Sequence, residues 1–176
     1  MNVVVSLHEQ GFRSAFKVLQ GFGSVNTTNF FNVLGMQVEN IPELLEALRD
    51  AIAQAPEQFA FLARLVPVTT TFTFQSPAEF EAKAKEAVFQ WIPQLAGKRF
   101  HIRMHRRGFK GRLSSHDEER FLDEMVLQAL EQAGTPGTIT FQDPDAIVVV
   151  ETVGQWCGLS YWTREELQRY PFLRID

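Results

Sequence analysis

The chain has 176 residues, with 17 Lys/Arg against 21 Asp/Glu, 45% hydrophobic residues and one cysteine. That length makes one domain or two small ones, and so apolar a composition excludes intrinsic disorder. No run of eighteen apolar residues predicts a membrane span, Cys157 has no disulfide partner, and the N-terminal residues lack the features of a secretory signal, so a soluble cytoplasmic protein is expected.

Val3-Val4-Val5 is a β-branched run that predicts a buried strand. Phe12, Ala15, Phe16 and Leu19 recur at helical spacing and predict an amphipathic helix ended by Gly21 and Gly23. Gly21-Phe22-Gly23 follows a helix and lacks the remainder of a phosphate-loop motif, so it reads as a helix cap. Thr28 to Val38 reads as a strand or hairpin interrupted by Gly35. Pro42 suits a first helical turn, and Leu44, Leu45, Leu48, Ala51 and Ile52 form an apolar stripe that runs up to Pro56. A second short piece is expected from Phe59 to Leu65. Val68, Thr70, Phe72 and Phe74 then alternate with threonines, as in a strand with one buried face. The order β-α-β-α-β predicts a ferredoxin-like domain over residues 1–75 and a second domain over 76–176.

The second half opens with a capping box, Ser76-Pro77-Ala78-Glu79, ahead of a helix that buries Phe80, Ala84, Ala87, Val88 and Trp91 and stops at Pro93. Arg99 to His105 predicts a strand with Phe100, Ile102 and Met104 on one face and Arg99, His101, Arg103 and His105 on the other. Ser115 and Glu118 suggest another capping box before a long helix ended by Gly134. Strands are expected at Thr138 to Gln142 and Ala146 to Val153, joined by Asp143-Pro144-Asp145. Ile147 to Val150 is apolar throughout, as in a central strand covered on both faces. Thr163-Arg164-Glu165-Glu166 caps a short final helix.

Charge is distributed unevenly. The segment Lys98 to Arg112 carries seven cations (Lys98, Arg99, Arg103, Arg106, Arg107, Lys110, Arg112) and no carboxylate, so it holds +7 while the remainder holds −11. Clustered positive charge is the usual footprint of a polyanion partner. The plainer reading is a solvated strand and loop that keep a sheet edge soluble. Against that reading, the strand runs into Arg106-Arg107-Gly108-Phe109-Lys110-Gly111-Arg112. Glycines there let backbone N–H groups approach an anion, and Arg forks suit phosphate oxygens. Phe109 either stacks on a base or anchors the loop in the core.

Catalytic signatures are missing. His101 and His105, four strand residues apart, are separated by roughly 13 Å, too far for one metal ion. Cys157 has no partner that marks a nucleophile. Glu118-Glu119 and Glu165-Glu166 lie in first helical turns, where they complement the helix dipole. No metal and no cofactor are expected.

The strand Phe100 to Gly108 (FHIRMHRRG), the helix after it, Phe141 to Glu151 (FQDPDAIVVVE) and Trp156 to Tyr170 (WCGLSYWTREELQRY) together resemble a THUMP domain, the RNA-binding module of tRNA-modifying enzymes. Arg64-Leu65-Val66-Pro67-Val68 resembles the Arg-x-x-Pro segment that closes the ferredoxin-like domain in stand-alone THUMP proteins, the tRNA-binding adaptors of RNA cytidine acetyltransferase. The resemblance implies an α+β (α/β) chain: an N-terminal ferredoxin-like domain, then a THUMP domain with a small mixed sheet and flanking helices. It implies a non-catalytic protein that presents tRNA to a separate modifying enzyme, with cytidine N4-acetylation as the reaction. A chain that stops at Asp176 leaves no room for a catalytic domain on this reading. The expected RNA contacts are Lys98, Arg99, Arg103, Arg106, Arg107, Lys110 and Arg112, with His105 in support. The alternatives are an RNA-binding subunit of a split tRNA methyltransferase or sulfurtransferase, or a protein-interaction module using the basic strand.

Overall fold

In the computed structural model, which describes residues 1–175, β1 (Val3–Leu7) is the pivot of the first sheet. Its β-branched run is buried throughout, and β1 has a paired strand along each edge. The elements run β1, α1 (Phe12–Leu19), β2 (Ser24–Thr27), β3 (Val33–Gln37), α2 (Ile41–Gln54) and β4 (Leu62–Pro67), in the spatial order β2-β3-β1-β4. All adjacent pairs are antiparallel, with Val4 opposite Gly35 on one side and Val66 on the other. This is the split β-α-β arrangement of ferredoxin-like folds. Asn40 starts α2 by accepting the Glu43 N–H at 3.0 Å, and Pro42 lies in its first turn. The piece expected from Phe59 to Leu65 is instead a 3-10 turn, Pro56–Phe59, followed by β4, the strand that closes the sheet.

The strand expected to close that sheet belongs to the other one. β5 (Thr70–Thr73) pairs antiparallel with β9 (Trp156–Thr163), Thr70 opposite Leu159. Phe72 and Phe74 meet Phe80 at ring-centroid distances of 6.2 and 5.1 Å, which ties this segment to the second core. The chain therefore divides into Met1–Val68 together with Leu167–Ile175, and Thr69–Glu166, where the sequence suggested a break after Gln75. The last segment returns to the first unit through long-range bonds that no local pattern announces. Arg169 holds Glu46 of α2 at 2.8 and 2.7 Å, and Arg174 donates to the carbonyls of Leu62 and Ala63 at 3.2 and 3.1 Å. Phe172, Leu173 and Ile175 are buried.

The second unit contains α3 (Pro77–Phe89), α4 (Ile92–Leu95), β6 (Arg99–His105), α5 (Ser115–Gln132), β7 (Thr138–Ile139), β8 (Ala146–Val153), β9 and the start of α6 (Arg164–Arg169). Its sheet is mixed, in the order β5-β9-β8-β6-β7, with β6 parallel to β7 and β8 and the other pairs antiparallel. Phe80, Val88, Phe100, Ile102, Leu122, Val126 and Val148 meet in one core between helices and sheet. Thr163 and Glu166 form a reciprocal capping box; Ser76 accepts the Glu79 N–H as expected, but the Glu79 carboxylate accepts from the N–H of Gln75.

The β7 strand covers only Arg99 and Phe100, which leaves the rest of that edge of β6 without a strand partner. α5 covers it instead: Ile102 N donates to Asp123 Oδ1 at 3.2 Å, and Met104 N donates to Glu119 Oε2 at 2.8 Å. Acids one turn apart thus satisfy the amides of an open strand edge.

Candidate nucleic-acid interface

β6 places side chains in rows across the sheet. His101, Ile147 and Trp162 share one row, Arg103, Val149 and Ser160 the next, and His105, Glu151 and Gly158 the third. His101 is 1% exposed, and Val149, Ser160 and Trp162 are buried too. The face that alternation assigned to solvent is buried at His101, among Ile147, Val149, Ser160 and Trp162, and opens towards Arg99 and Arg103, which corrects the expectation for His101.

Burial decides what its cations do. Glu151 is wholly buried and is held by His105 Nδ1 at 3.1 Å and Arg107 Nη1 at 2.9 Å. Burial by itself raises the pKa of this carboxyl, but the His105 hydrogen bond and the Arg107 charge outweigh it, so Glu151 titrates below its ordinary range. Arg107 N also donates to Thr152 Oγ1 at 3.0 Å. Arg103 lies 3.8 Å from Glu119. His105, Arg107 and Arg103 are thus engaged with carboxylates of the second unit.

The remaining cations lie at the two ends of the strand. At its start, Lys98 and Arg99 are exposed; Arg99 Nη2 donates to the Asp143 carbonyl at 3.2 Å and lies 3.7 Å from Asp145. At its end, Arg106 Nη1 donates to the Gly108 carbonyl, while Lys110 and Arg112 are exposed. The bend needs left-handed backbone at Gly108 (φ 93°), Phe109 (φ 54°) and Gly111 (φ 78°), which explains its glycines. Phe109 is the core anchor, since its ring centroid lies 4.9 Å from that of Phe74, and Arg112 covers it at 4.8 Å. A seven-residue strand separates the two ends by roughly 20 Å. The basic segment is two cationic clusters joined by a structural stretch.

α5 begins beside the second cluster. Ser114, one residue before the expected cap, accepts the Asp117 N–H at 3.2 Å. Glu118 therefore turns inward, where its pKa is pushed up to about 8 by burial and then by Glu81 of α3 and the charge of Asp117. Its Oε2 is buried with no hydrogen-bond partner. A cavity of about 490 Å³ is lined by Arg106, Arg112, Ser114, Ser115, Asp117 and Glu118. A protonated Glu118 adds no negative charge to this wall, where Asp117 is the remaining carboxylate beside Arg106 and Arg112.

Sequence reasoning missed Phe141. It is 66% exposed on the turn between β7 and β8, with its ring centroid 5.2 Å from the buried His101 ring. The turn is held by Arg164, which bonds Asp143 at 2.7 Å and Asp145 at 3.2 Å, and by Arg99 N donating to Asp145 Oδ2 at 2.9 Å. A fixed, exposed ring near Arg99 can stack a nucleobase. A large apolar residue just before a turn-forming Asp-Pro was the available signal.

Among the described residues no group of three or more His, Cys, Asp or Glu is arranged to hold a metal ion. The Cys157 thiol is raised well above its ordinary pKa by burial and by the Glu151 charge, so it stays protonated. No helix among the described residues is long and apolar enough to cross a membrane.

No protein-family model and no curated protein matches this chain. Solved structures do. The protein PH1313 of Pyrococcus horikoshii Ot3 matches at 12% identity with a TM-score of 0.59, over 92% of this chain and 54% of its own. TrmN of Thermus thermophilus matches at 15% identity and TM-score 0.60, over 92% and 45%. A 4-thiouridine synthetase, solved as a complex with RNA and bound ATP, matches at 10% identity and TM-score 0.55, over 92% and 41%. The chain spans about half the length of these proteins or less. The shared feature is the fold, which is THUMP-like.

Proposed function

We propose that this chain binds tRNA through the two cationic clusters of its second unit and presents it to a separate modifying enzyme. Lys98 and Arg99, with Phe141, form one contact region; Arg106, Lys110 and Arg112 form the other. The observation that carries this reading is the division of labour along Lys98 to Arg112. His105 and Arg107 are tied to the buried Glu151 and Arg103 lies beside Glu119, whereas Lys98, Lys110 and Arg112 face solvent without an ion pair among the described residues. A fold likeness to a synthetase solved with RNA supports the same reading. The modification is cytidine N4-acetylation, carried out by an RNA cytidine acetyltransferase. The sequence resemblance to adaptors of that enzyme supports this.

Recognition rests on shape and backbone, because the deep groove of an A-form helix hides its base edges. If about four phosphates are neutralised, the logarithm of affinity falls against the logarithm of salt with a slope of roughly −3 to −4. In a fluorescence-anisotropy titration, Lys110→Ala with Arg112→Ala should weaken binding to many tRNAs alike and flatten the slope by about 1–2. Phe141→Ala should weaken binding to RNA with an unpaired end by about 1–3 kcal/mol and leave blunt duplex unaffected. Unaltered affinity in the double variant overturns the reading.

The limited coverage of the solved relatives favours one rival, an RNA-binding part of a split methyltransferase or sulfurtransferase. Incubation with tRNA and S-adenosylmethionine, acetyl-CoA or ATP, followed by nucleoside analysis, separates the two. Product formed by the purified chain alone refutes the adaptor role.

A further inference from the structure

The first unit holds a cavity of about 600 Å³ that the nucleic-acid reading does not use. It lies where the C-terminal half of α2, the 3-10 turn after it, the start of β4 and the returning segment 168–174 converge. Its walls are mostly apolar: Ile52, Pro56, Phe59, Leu62, Pro171 and Phe172. Its charged lining is of one sign. His8, Arg49, Arg169 and Arg174 face it, and no Asp or Glu does.

The three arginines are not equivalent. Arg169 is committed to Glu46, whose carboxyl is lowered to about 2 by the hydrogen bonds from Arg169 and then Tyr170. Arg174 donates through Nη1 to two neutral carbonyls, which fix the side chain without cancelling its charge. Its backbone is left-handed (φ 39°), a costly conformation for a residue with a Cβ, and the bonds to Leu62 and Ala63 hold it there. Arg49 is exposed, and its charge helps to lower the Glu46 carboxyl, but the main partners of that carboxyl are Arg169 and Tyr170, which leaves the Arg49 guanidinium without a direct hydrogen bond among the described residues. Two guanidinium groups with spare donors therefore border an apolar hollow of a size that accommodates small ligands. Such groups recognise phosphate or carboxylate oxygens, and low-dielectric walls strengthen that attraction.

We propose that this cavity binds a small amphiphilic anion, with an apolar ring or short chain against Phe59 and Phe172 and a phosphate or carboxylate head on Arg49 and Arg174. The proposal goes beyond tRNA binding and does not depend on it. The probe is 1-naphthyl phosphate, titrated calorimetrically into the full chain, with 2-naphthoate, inorganic phosphate and 1-naphthalenemethanol as separate arms. One or both naphthyl anions should bind at least tenfold more tightly than inorganic phosphate or the neutral alcohol, and the preferred anion identifies the head group. Arg49→Ala, at an exposed position, should lower that affinity at least fivefold. Ala53→Trp, which fills the cavity from its rim, should abolish binding while leaving the circular dichroism spectrum unchanged. Should Arg174→Ala unfold, Arg174→Lys retains the charge and should bind at intermediate strength. Equal binding of anion and alcohol, no binding of either anion, or binding insensitive to both Arg49→Ala and Ala53→Trp overturns the proposal.

Discussion

Replacing Glu118 by Gln should make the protein more stable at alkaline pH and change little in acid. The side chain is buried on α5 against Glu81 of α3, with its pKa raised from 4.5 to about 8. For an acid raised on folding, the folded chain holds a proton that the unfolded chain has lost. Stability from this site is complete below 4.5, falls as pH rises, and is exhausted above about 8. The full displacement corresponds to roughly 5 kcal/mol, at about 1.4 kcal/mol for each pKa unit. That figure is a ceiling, because the side chain can swing outward once charged. Asp123 contributes a parallel decline, since burial raises its pKa to about 7. The window from pH 6.5 to 8.5 isolates Glu118 best, and this residue should account for about 1–2 kcal/mol of the wild-type loss across it. An amide at position 118 can donate to Glu81 as the protonated acid does, so the variant should keep wild-type stability at pH 5 and lie flatter above 6.5. Urea unfolding followed by tryptophan fluorescence at pH 5, 6.5, 7.5 and 8.5 provides the curves. Parallel wild-type and variant curves, or a wild type that gains stability above pH 6.5, refute the reasoning.

Glu151→Ala strands Arg107 and His105 in a largely buried site and should cost about 3–5 kcal/mol, read as a lower urea midpoint at unchanged slope. Because the pKa of this carboxyl is lowered, its contribution is present above pH 4.5 and lost as pH falls through the folded value, a decline missing from the variant. Gly137→Ala should cost about 1–3 kcal/mol, measured by the same method, because a Cβ there would meet Leu130 Cδ1 at 2.9 Å and Phe100 Cε1 at 3.0 Å.

Local signals were legible wherever the structure is local. The helix over Phe12–Leu19, the caps at Ser76 and Thr163, and the doubly covered strand through Ile147 to Val150 follow from periodicity and side-chain reach. What alternation cannot supply is the partner. Thr70 to Thr73 is a strand on its pattern alone, but whether it joins β4 or β9 depends on residues nearly ninety positions away. The tail from Leu167 reads as an appendage of the second half, and only its bonds to Glu46, Leu62 and Ala63 reassign it. The burial of His101 was hidden for a related reason. An alternating polar face looks the same in a half-exposed strand and in an interior strand, where one polar side chain is buried and its neighbours meet carboxylates.

The cationic segment shows how charge along a sequence differs from potential at a surface. Glu151 lies 46 residues from His105 and 44 from Arg107, so its pairing with them was invisible to a count of neighbouring charges. Once it is buried, a single carboxylate needs both partners, and the positive excess of the strand shrinks where it was densest. Arg107 is also bonded through its backbone to Thr152 and Gly154, which fixes the chain as it leaves β6. The bend that follows carries Lys110 and Arg112 and is pinned from beneath by Phe109 on Phe74. Arg107 and His105 thus belong to the foundation of the loop, and the residues beyond them to its exposed surface. Neutralising the middle of the strand does not remove the case for a polyanion partner. On the proposed reading, contact falls at the two ends, where the backbone that carries the cations is set by β6 and by the Phe109 anchor.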